Sequence, residues 1–442
     1  MINRDFCRFR NEESHFFSSK VKLFAANLVI LRHIRKNGLM QGAICGKQHH
    51  FSAAQHTGSH TIFTLMSVEI RKVSSRKELK RFIRFNYEFY KDNAYSVPDL
   101  YEDMIATFDP KKNAAFEFCE ADYFMAYKDG KEVGRVAAII NHRANETWNK
   151  KSVRFGWIDF IDDFEVSEAL INAVKKWGSE RGMTEIEGPL GFTDLDAEGM
   201  LVEGFDQLST IATIYNYPYY PTHMERLGME KACDWVERKI YIPDAIPEKH
   251  LRISKIVAEK YNLHIHKLKS AKDAYKNDTA RRIFELINDA YAPLYGYSKM
   301  TDKQIDGYVK QYIPILDLRM VTLVEDAGNN IVAVGVSMPS LSRALQRAKG
   351  KLFPFGWWHL LKALKFKRDE MLDLLLIGVH PDYQSKGVNA LIFTDLIPVY
   401  QQLGFKFAES NPELEINDNV QKQWQYFEVE QHKRRRCFRQ TI

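Results

Sequence analysis

Apolar positions along this chain switch between a two-residue and a three-to-four-residue period, and the switches fall in the same order twice. Residues 67–73 alternate as a strand, and residues 76–90 place Leu79, Phe82, Ile83 and Tyr87 on one face of a helix. Two strands, 122–127 and 133–141, are joined by Lys-Asp-Gly-Lys, whose Asp-Gly pair suits the positive φ of a tight hairpin. A strand over 156–160 and a helix over 167–181 stopped by Gly182 come next, and residues 185–188 lead into a Gly- and acid-rich loop. A helix at 224–229 and a strand at 235–242 complete the first series.

The second series begins with a strand at 265–268 and a helix at 280–291, and strands 320–325 and 331–339 pair across the turn-forming residues 326–330. The apolar run 372–379 then meets His-Pro-Asp-Tyr-Gln-Ser-Lys-Gly. Behind that turn Val388, Leu391, Ile392, Leu396, Val399, Tyr400 and Leu403 recur at helical steps, with a bend expected at Pro398. Residues 406–410 form a further strand. Strand, helix, hairpin, strand, helix, strand, twice over, predicts an α/β fold of the α+β kind. Its two tandem lobes, residues 66–245 and 246–442, are each a mixed, mostly antiparallel sheet flanked by helices. Residues 1–65 keep no sustained period and are expected to be a poorly ordered N-terminal extension without catalytic residues; a targeting or regulatory arm is the rival reading.

At 442 residues the chain has room for two or three cores, and two is the expected number. Its 13% aromatic share points to a ring-lined groove or an interfacial surface. A net charge of +6, from 63 basic and 57 acidic residues, is too balanced for a nucleic-acid partner. Lys433, Arg434, Arg435, Arg436 and Arg439 read as a basic tail in solvent, with a phosphate or an acidic lipid surface as the alternatives. Five cysteines, odd in number and without paired spacing, argue for reduced thiols in a cytoplasmic protein and against zinc or any other metal site. No run reaches the roughly 18 apolar residues of a membrane span, so any contact with the inner membrane would be peripheral.

The turn ahead of residue 388 holds the clearest chemistry. A helix starting near Gly387 aims unpaired N–H groups and the positive end of its dipole back at the strand, a cradle for a pyrophosphate. The spacing of Gln384 and Gly387 resembles the acyl-CoA signature of the GNAT acyltransferase superfamily, with Asn389 standing where that signature has Gly or Ala. The resemblance implies acyl-CoA as co-substrate, held by Gln384, Lys386, Gly387, Val388 and Asn389. It implies a thioester carbonyl polarised by backbone N–H groups between Ile377 and Val379, and Tyr426 as proton donor to the departing thiolate.

The amine then needs a base and a binding surface. Glu409, Asn411, Glu413, Glu415 and Asn417 alternate, which would line one strand face beside the cofactor; a loop around Pro412 is the other reading. Glu409 is the candidate base here, with Asn411 and Glu413 as amine contacts. In the first lobe, residues 188–206 gather Asp194, Asp196, Glu198, Glu203 and Asp206, which suit an amine or hydroxyls, with Asp194 and Glu203 the chosen contacts. Tyr215, Asn216, Tyr217, Tyr219, Tyr220 and His223 would line a substrate groove or only pack between lobes. His223 is the other candidate base, since imidazoles titrate near neutrality.

Residues 347–368 set Leu352, Phe353, Phe355, Trp357, Trp358, Leu360, Leu361, Leu364 and Phe366 among Lys349, Lys351, Lys362, Lys365, Lys367 and Arg368. That composition fits a helix at a membrane interface, a lid over an acyl chain, or a buried insert. Residues 87–98, 188–206 and 350–357 are similar to recurrent blocks of the bacterial ceramide synthase-like family of double-GNAT proteins. For members that are enzymes, the resemblance implies transfer of a fatty acyl group from acyl-CoA or an acyl carrier protein thioester to a lipid-like amine, a sphingoid base. Two alternatives stand beside it. One is a non-catalytic double-GNAT binding or regulatory protein, favoured if Asn389 closes the cradle. The other is an aminoacyl transferase resembling the peptidoglycan-bridge enzymes, for whose tRNA only the basic tail offers a surface.

Overall fold

The computed structural model describes residues 67–366 and 368–442, so the expectations for residues 1–65 lie outside the described residues. The first half supplies β1 (Glu69–Lys72), β2 (Cys119–Lys128), β3 (Lys131–Asn141), β4 (Ser152–Phe160), β5 (Glu185–Gly188), β6 (Met200–Glu203) and β7 (Glu230–Tyr241). The second supplies β8 (His264–His266), β9 (Val321–Glu325), β10 (Ile331–Pro339), β11 (Met371–Val379), β12 (Phe407–Glu409), β13 (Glu413–Leu414) and β14 (Val429–Thr441). They form one continuous sheet in the order β1-β2-β3-β4-β5-β14-β7-β12-β11-β10-β9-β8, with β6 beside β14 and β13 beside β7. Each arm is an antiparallel run ending in a parallel pair, β4 with β5 and β11 with β12.

The helices lie where the two periodic patterns put them. Helix α1 (Arg76–Phe89) opens with a capping box, Ser75 accepting from the Glu78 N–H and the Glu78 side chain accepting in return, and buries Phe82, Ile83 and Phe85. Helix α2 (Phe164–Ser179) follows β4, and α5 (Asn389–Gln402) follows β11 in the second half. Between them come α3 (Glu248–Tyr261) and α4 (Thr279–Tyr291). The two arms repeat a packing device: a Cβ on Gly134 of β3 would sit 2.8 Å from Leu170 of α2, and one on Gly335 of β10 would sit 2.5 Å from Ile392 of α5. Glycine at these points lets a helix lie directly on its sheet.

The centre differs from two lobes set side by side. The strand expected to close the first lobe, β7, pairs with β12 of the second half, while β14, the last strand of the second half, pairs with β5 of the first. β7 and β14 pair with each other between these contacts. The helix expected at 224–229 is Tyr219–Arg226.

The expected basic tail is β14 itself. Lys433 and Arg435 point inward and are fully buried, Lys433 lying 2.8 Å from Glu237 and 2.7 Å from Glu409. Arg435 pairs with the other oxygen of Glu237. Burial alone would raise the Glu237 carboxyl, but Arg435 and Lys433 bring it down to about 2. Arg434 and Arg436 face the other way onto Asp234, at 3.2 and 2.8 Å. Cys233 and Cys437, far apart in sequence, are direct cross-strand partners and both free thiols.

Candidate active site

Strands β11 and β12 are paired only from Met371–Phe407 to Asp373–Glu409, and beyond that point they part. β10 stays with β11 as far as Val379, but the register slips between Val336 and Ser337, which leaves Leu375 bulged without an opposite residue. The stretch from Leu374 to Ile377 is therefore only half buried, although it lies in mid-sheet. Asn411 donates its amide to the Leu375 carbonyl at 2.5 Å, and Tyr291 of α4 donates its hydroxyl to the Ile377 carbonyl at 3.0 Å. The gap opens into a cavity of ≈ 1690 Å³ that continues to the first half.

At one end the cavity reaches Gln384, Gly387, Val388 and Asn389. Gly387 has φ +79, and a Cβ there would meet Ile253 of α3 at 2.9 Å, so the turn needs glycine both for its backbone and for its packing. Gln384 donates its side-chain amide to the Val379 carbonyl at 3.1 Å and ties the turn to β11. No side chain caps the start of α5; the Ala390 and Leu391 N–H groups turn back onto the Gly387 and Val388 carbonyls at 3.0 Å, which leaves the N–H groups of Gly387, Val388 and Asn389 to face an anion. The matching helix of the first half, α2, is closed: Asp163 accepts from the Glu165 N–H and holds Lys128 at 2.6 Å. A carboxylate already sits where a pyrophosphate would bind.

Past the parting strands stands Glu413, which accepts from the Trp424 indole at 2.9 and 3.1 Å. Burial pushes its carboxyl up to about 8, against the opposing pull of Trp424 and Arg238. Such a group is poised to take a proton near neutral pH. Tyr426 also lines the cavity; its hydroxyl is bonded by the Lys249 ammonium, which lies 4.1 Å over its ring. On the far wall, burial raises Asp194 and Asp196 each to about 6. Asp194 accepts from the Ser298 N–H at 2.9 Å with one oxygen, and its other oxygen has no hydrogen-bond partner.

The structure thus brings Ile377, Val379, Gln384, Gly387, Val388, Asn389, Asn411, Glu413, Asp194 and Tyr426 to one cavity. The other expected residues are not on its wall. Lys386 turns out over the rings of Tyr261 and Tyr383, at 5.1 and 5.5 Å. Glu409 is buried between Lys433 and His432, 2.7 Å from each, and is committed to the central ion network. The alternating run that suggested it is not one strand: β12 ends at Glu409 and the chain turns through Pro412 into the two-residue β13.

His223 is packed under the first half, bonded to Ser167 at 2.9 Å and Asp162 at 3.1 Å and stacked on Phe160. Glu203 is 3.3 Å from Arg434 at the surface. Tyr215 donates to the Phe205 carbonyl at 3.1 Å, and Asn216 clamps Leu201 through 2.6 and 3.0 Å bonds. These residues secure the first-half core, where the Tyr90 and Tyr220 hydroxyls meet at 3.0 Å. The cavity wall instead includes Tyr291, Tyr295, Tyr297, Tyr308 and Tyr312, none of these five singled out by the sequence.

No family model matches the chain. It is 26% identical over 384 residues to Protein YghO of Escherichia coli (strain K12), a match covering 84% of this chain and 95% of that one. It is 28% identical over 324 residues to the bacterial ceramide synthase of Caulobacter vibrioides (strain NA1000 / CB15N), covering 73% of this chain and 83% of that one. Among solved structures, a tandem GNAT protein from the clavulanic acid biosynthesis pathway is similar at 10% identity, with a TM-score of 0.49 and 85% and 98% of the two chains covered. By sequence the chain is thus similar, over most of its length, to a protein named bacterial ceramide synthase, and its fold is a mixed α/β one with a large, mostly antiparallel sheet flanked by helices.

Proposed function

We propose that this protein is an N-acyltransferase that moves a fatty acyl group from acyl-CoA to the amine of a long-chain lipid, a sphingoid base being the first candidate. The observation that carries the proposal is the shared cavity: one end is an uncapped helix start, and its wall holds a carboxyl titrating at about 8. The relative named bacterial ceramide synthase supports the choice of acceptor. The volume of ≈ 1690 Å³ exceeds the roughly 300–1,000 Å³ of ordinary small-molecule pockets and leaves space for apolar chains beside the thioester arm.

In this mechanism the first turn of α5 and the turn at Gly387 receive the donor's phosphates. The thioester lies along the unpaired edge of β11 at the Leu375 bulge, where backbone N–H groups polarise its carbonyl. Glu413 takes the proton from the ammonium, the freed nitrogen attacks the carbonyl carbon, and the C–S bond breaks as the carbonyl re-forms. Tyr426 gives its proton to the thiolate, and the phenolate, held by the Lys249 ammonium, recovers a proton from the new amide nitrogen. The enzyme would work in the cytoplasm, with an acyl carrier protein thioester as the competing donor.

The direct test is thiol release from long-chain acyl-CoA in the presence of a sphingoid base, with mass spectrometry of the N-acylated product. Thiol release with neither long-chain donor would sink the proposal. A companion variant probes the cradle. In Asn389→Glu the new carboxylate suits the helix start, so stability is unchanged or higher by about 0.3–1 kcal/mol. Repulsion of the donor's phosphates should nevertheless raise the KM for acyl-CoA by about tenfold or more. Thermal melting and donor titration read the two opposite effects separately.

A further inference from the structure

The insert between β10 and β11 has two faces of different character. Its helix Gly356–Leu361 and the wider-wound turn Lys362–Phe366 press Leu360, Ala363 and Leu364 onto Met338, Leu341 and Leu345, a cluster that also takes in the bulged Leu375. Leu360 reaches the cavity itself. The outer face is a joined set of exposed rings: Trp357 lies 5.9 Å from Trp358, and Trp358 lies 6.1 Å from Phe366. Phe355 and Phe366 are 73% and 70% exposed, values rare for side chains of that size in a protein facing only water.

Around these rings Arg347, Lys349, Lys351, Lys362 and Lys365 are exposed, Arg343 is paired with Asp369 at 3.3 Å, and no acidic residue occurs between positions 342 and 366. The patch is held in place from the first half: Gln346 donates to the carbonyls of Ala94 and Ser96 at 2.9 Å, and the Tyr101 N–H donates to the Gly350 carbonyl at 2.8 Å. A Cβ on Gly350 would meet the Asp99 carbonyl at 2.4 Å, so this junction closes tightly. Among the described residues no helix is long and apolar enough to cross a membrane, so a lipid contact here is one of seating on the surface.

We propose that the insert docks this protein on an anionic bilayer, its rings entering the headgroup layer and its lysines and arginines meeting lipid phosphates, so that the long-chain amine passes from the leaflet beneath Leu360 into the cavity. Charge complementarity selects this occupant: bare aromatics would suit any apolar surface, but aromatics interleaved with an excess of cations match an acidic lipid face. The route for the amine rests on the acyltransferase assignment; the docking does not.

The test is flotation of the full chain with vesicles of phosphatidylcholine alone or mixed with phosphatidylglycerol. The anionic vesicles should carry the protein upward, and high salt should release it. Trp357→Ser with Trp358→Ser, and separately Lys362→Glu with Lys365→Glu, should each weaken vesicle binding by about tenfold or more. Both variants should keep wild-type turnover on a soluble short-chain amine and lose it on a long-chain amine presented in vesicles.

Wild-type protein left behind by anionic vesicles would overturn the proposal, as would either double variant floating like wild type. It would also be overturned if an acidic carrier protein bound the patch in place of lipid. Flotation requires no turnover, so an inactive protein that floats condemns the acyltransferase assignment alone, and an active one that stays down condemns the docking alone.

Discussion

Glu413→Gln is expected to lower turnover by about 10²–10⁴-fold, the usual worth of a positioned general base, while the KM for the acyl donor stays near wild type. The substitution is close to isosteric, and the Gln carbonyl can still accept from Trp424, so the wall of the cavity keeps its shape. What is lost is a group able to receive the ammonium proton. In the wild type only the ionised carboxylate is active, and burial sets its titration at about 8, so kcat/KM should climb as pH rises through 8 and level off above it. The acceptor amine titrates identically with both enzymes. The difference between their profiles therefore isolates Glu413, and a variant with an unchanged limb and near-normal turnover would remove this residue from the mechanism.

The second large effect concerns stability. Lys433→Met leaves Glu237 and Glu409 buried at the sheet centre without the cation they share, which should cost about 3–5 kcal/mol in chemical unfolding. Had these residues been a solvated tail, the same change would fall within about 0.5 kcal/mol, so the measurement separates the two arrangements cleanly. The pH dependence has a definite sign. Glu237 sits at about 2 in the folded protein against 4.5 for a free glutamate carboxyl, so its stabilising contribution is present above 4.5 and is lost as acid takes the pH down toward 2. With Lys433 gone and Arg435 still present, that acid-sensitive portion should shrink without vanishing.

The sequence disclosed elements governed by their own neighbours. The hairpin from β9 to β10 was legible because residues 326–330 are turn formers between two apolar alternations, and α5 because its apolar stripe is regular. β14 was not, since its inward positions 433 and 435 carry Lys and Arg, and a period-two pattern of charges reads as polar tail. Its partners lie about two hundred residues away, where no local signal reaches. At the site, backbone features survived translation best: the turn at Gly387 needs little beyond φ and space.

Side-chain roles transferred less well. Tyr215 and His223 have the chemistry of a groove, yet a ring with a polar tip is equally suited to a core that offers it one carbonyl or hydroxyl, which is what the first half does. Glu409 and Glu413 looked equivalent in an alternating run; Pro412 breaks that run, sending one to the ion network and the other to the cavity. The bulge at Leu375 depends on register with β10 and has no signature of its own.

Since β7 completes the arm built by the later residues and β14 the arm built by the earlier ones, neither half owns all the pieces of its own interior. Severing the backbone near residue 246 would yield two fragments, each with a vacant slot and a surplus ribbon fitted to the other's slot. Such fragments should be insoluble apart and complement one another when made together, a split protein with its seam written into the topology.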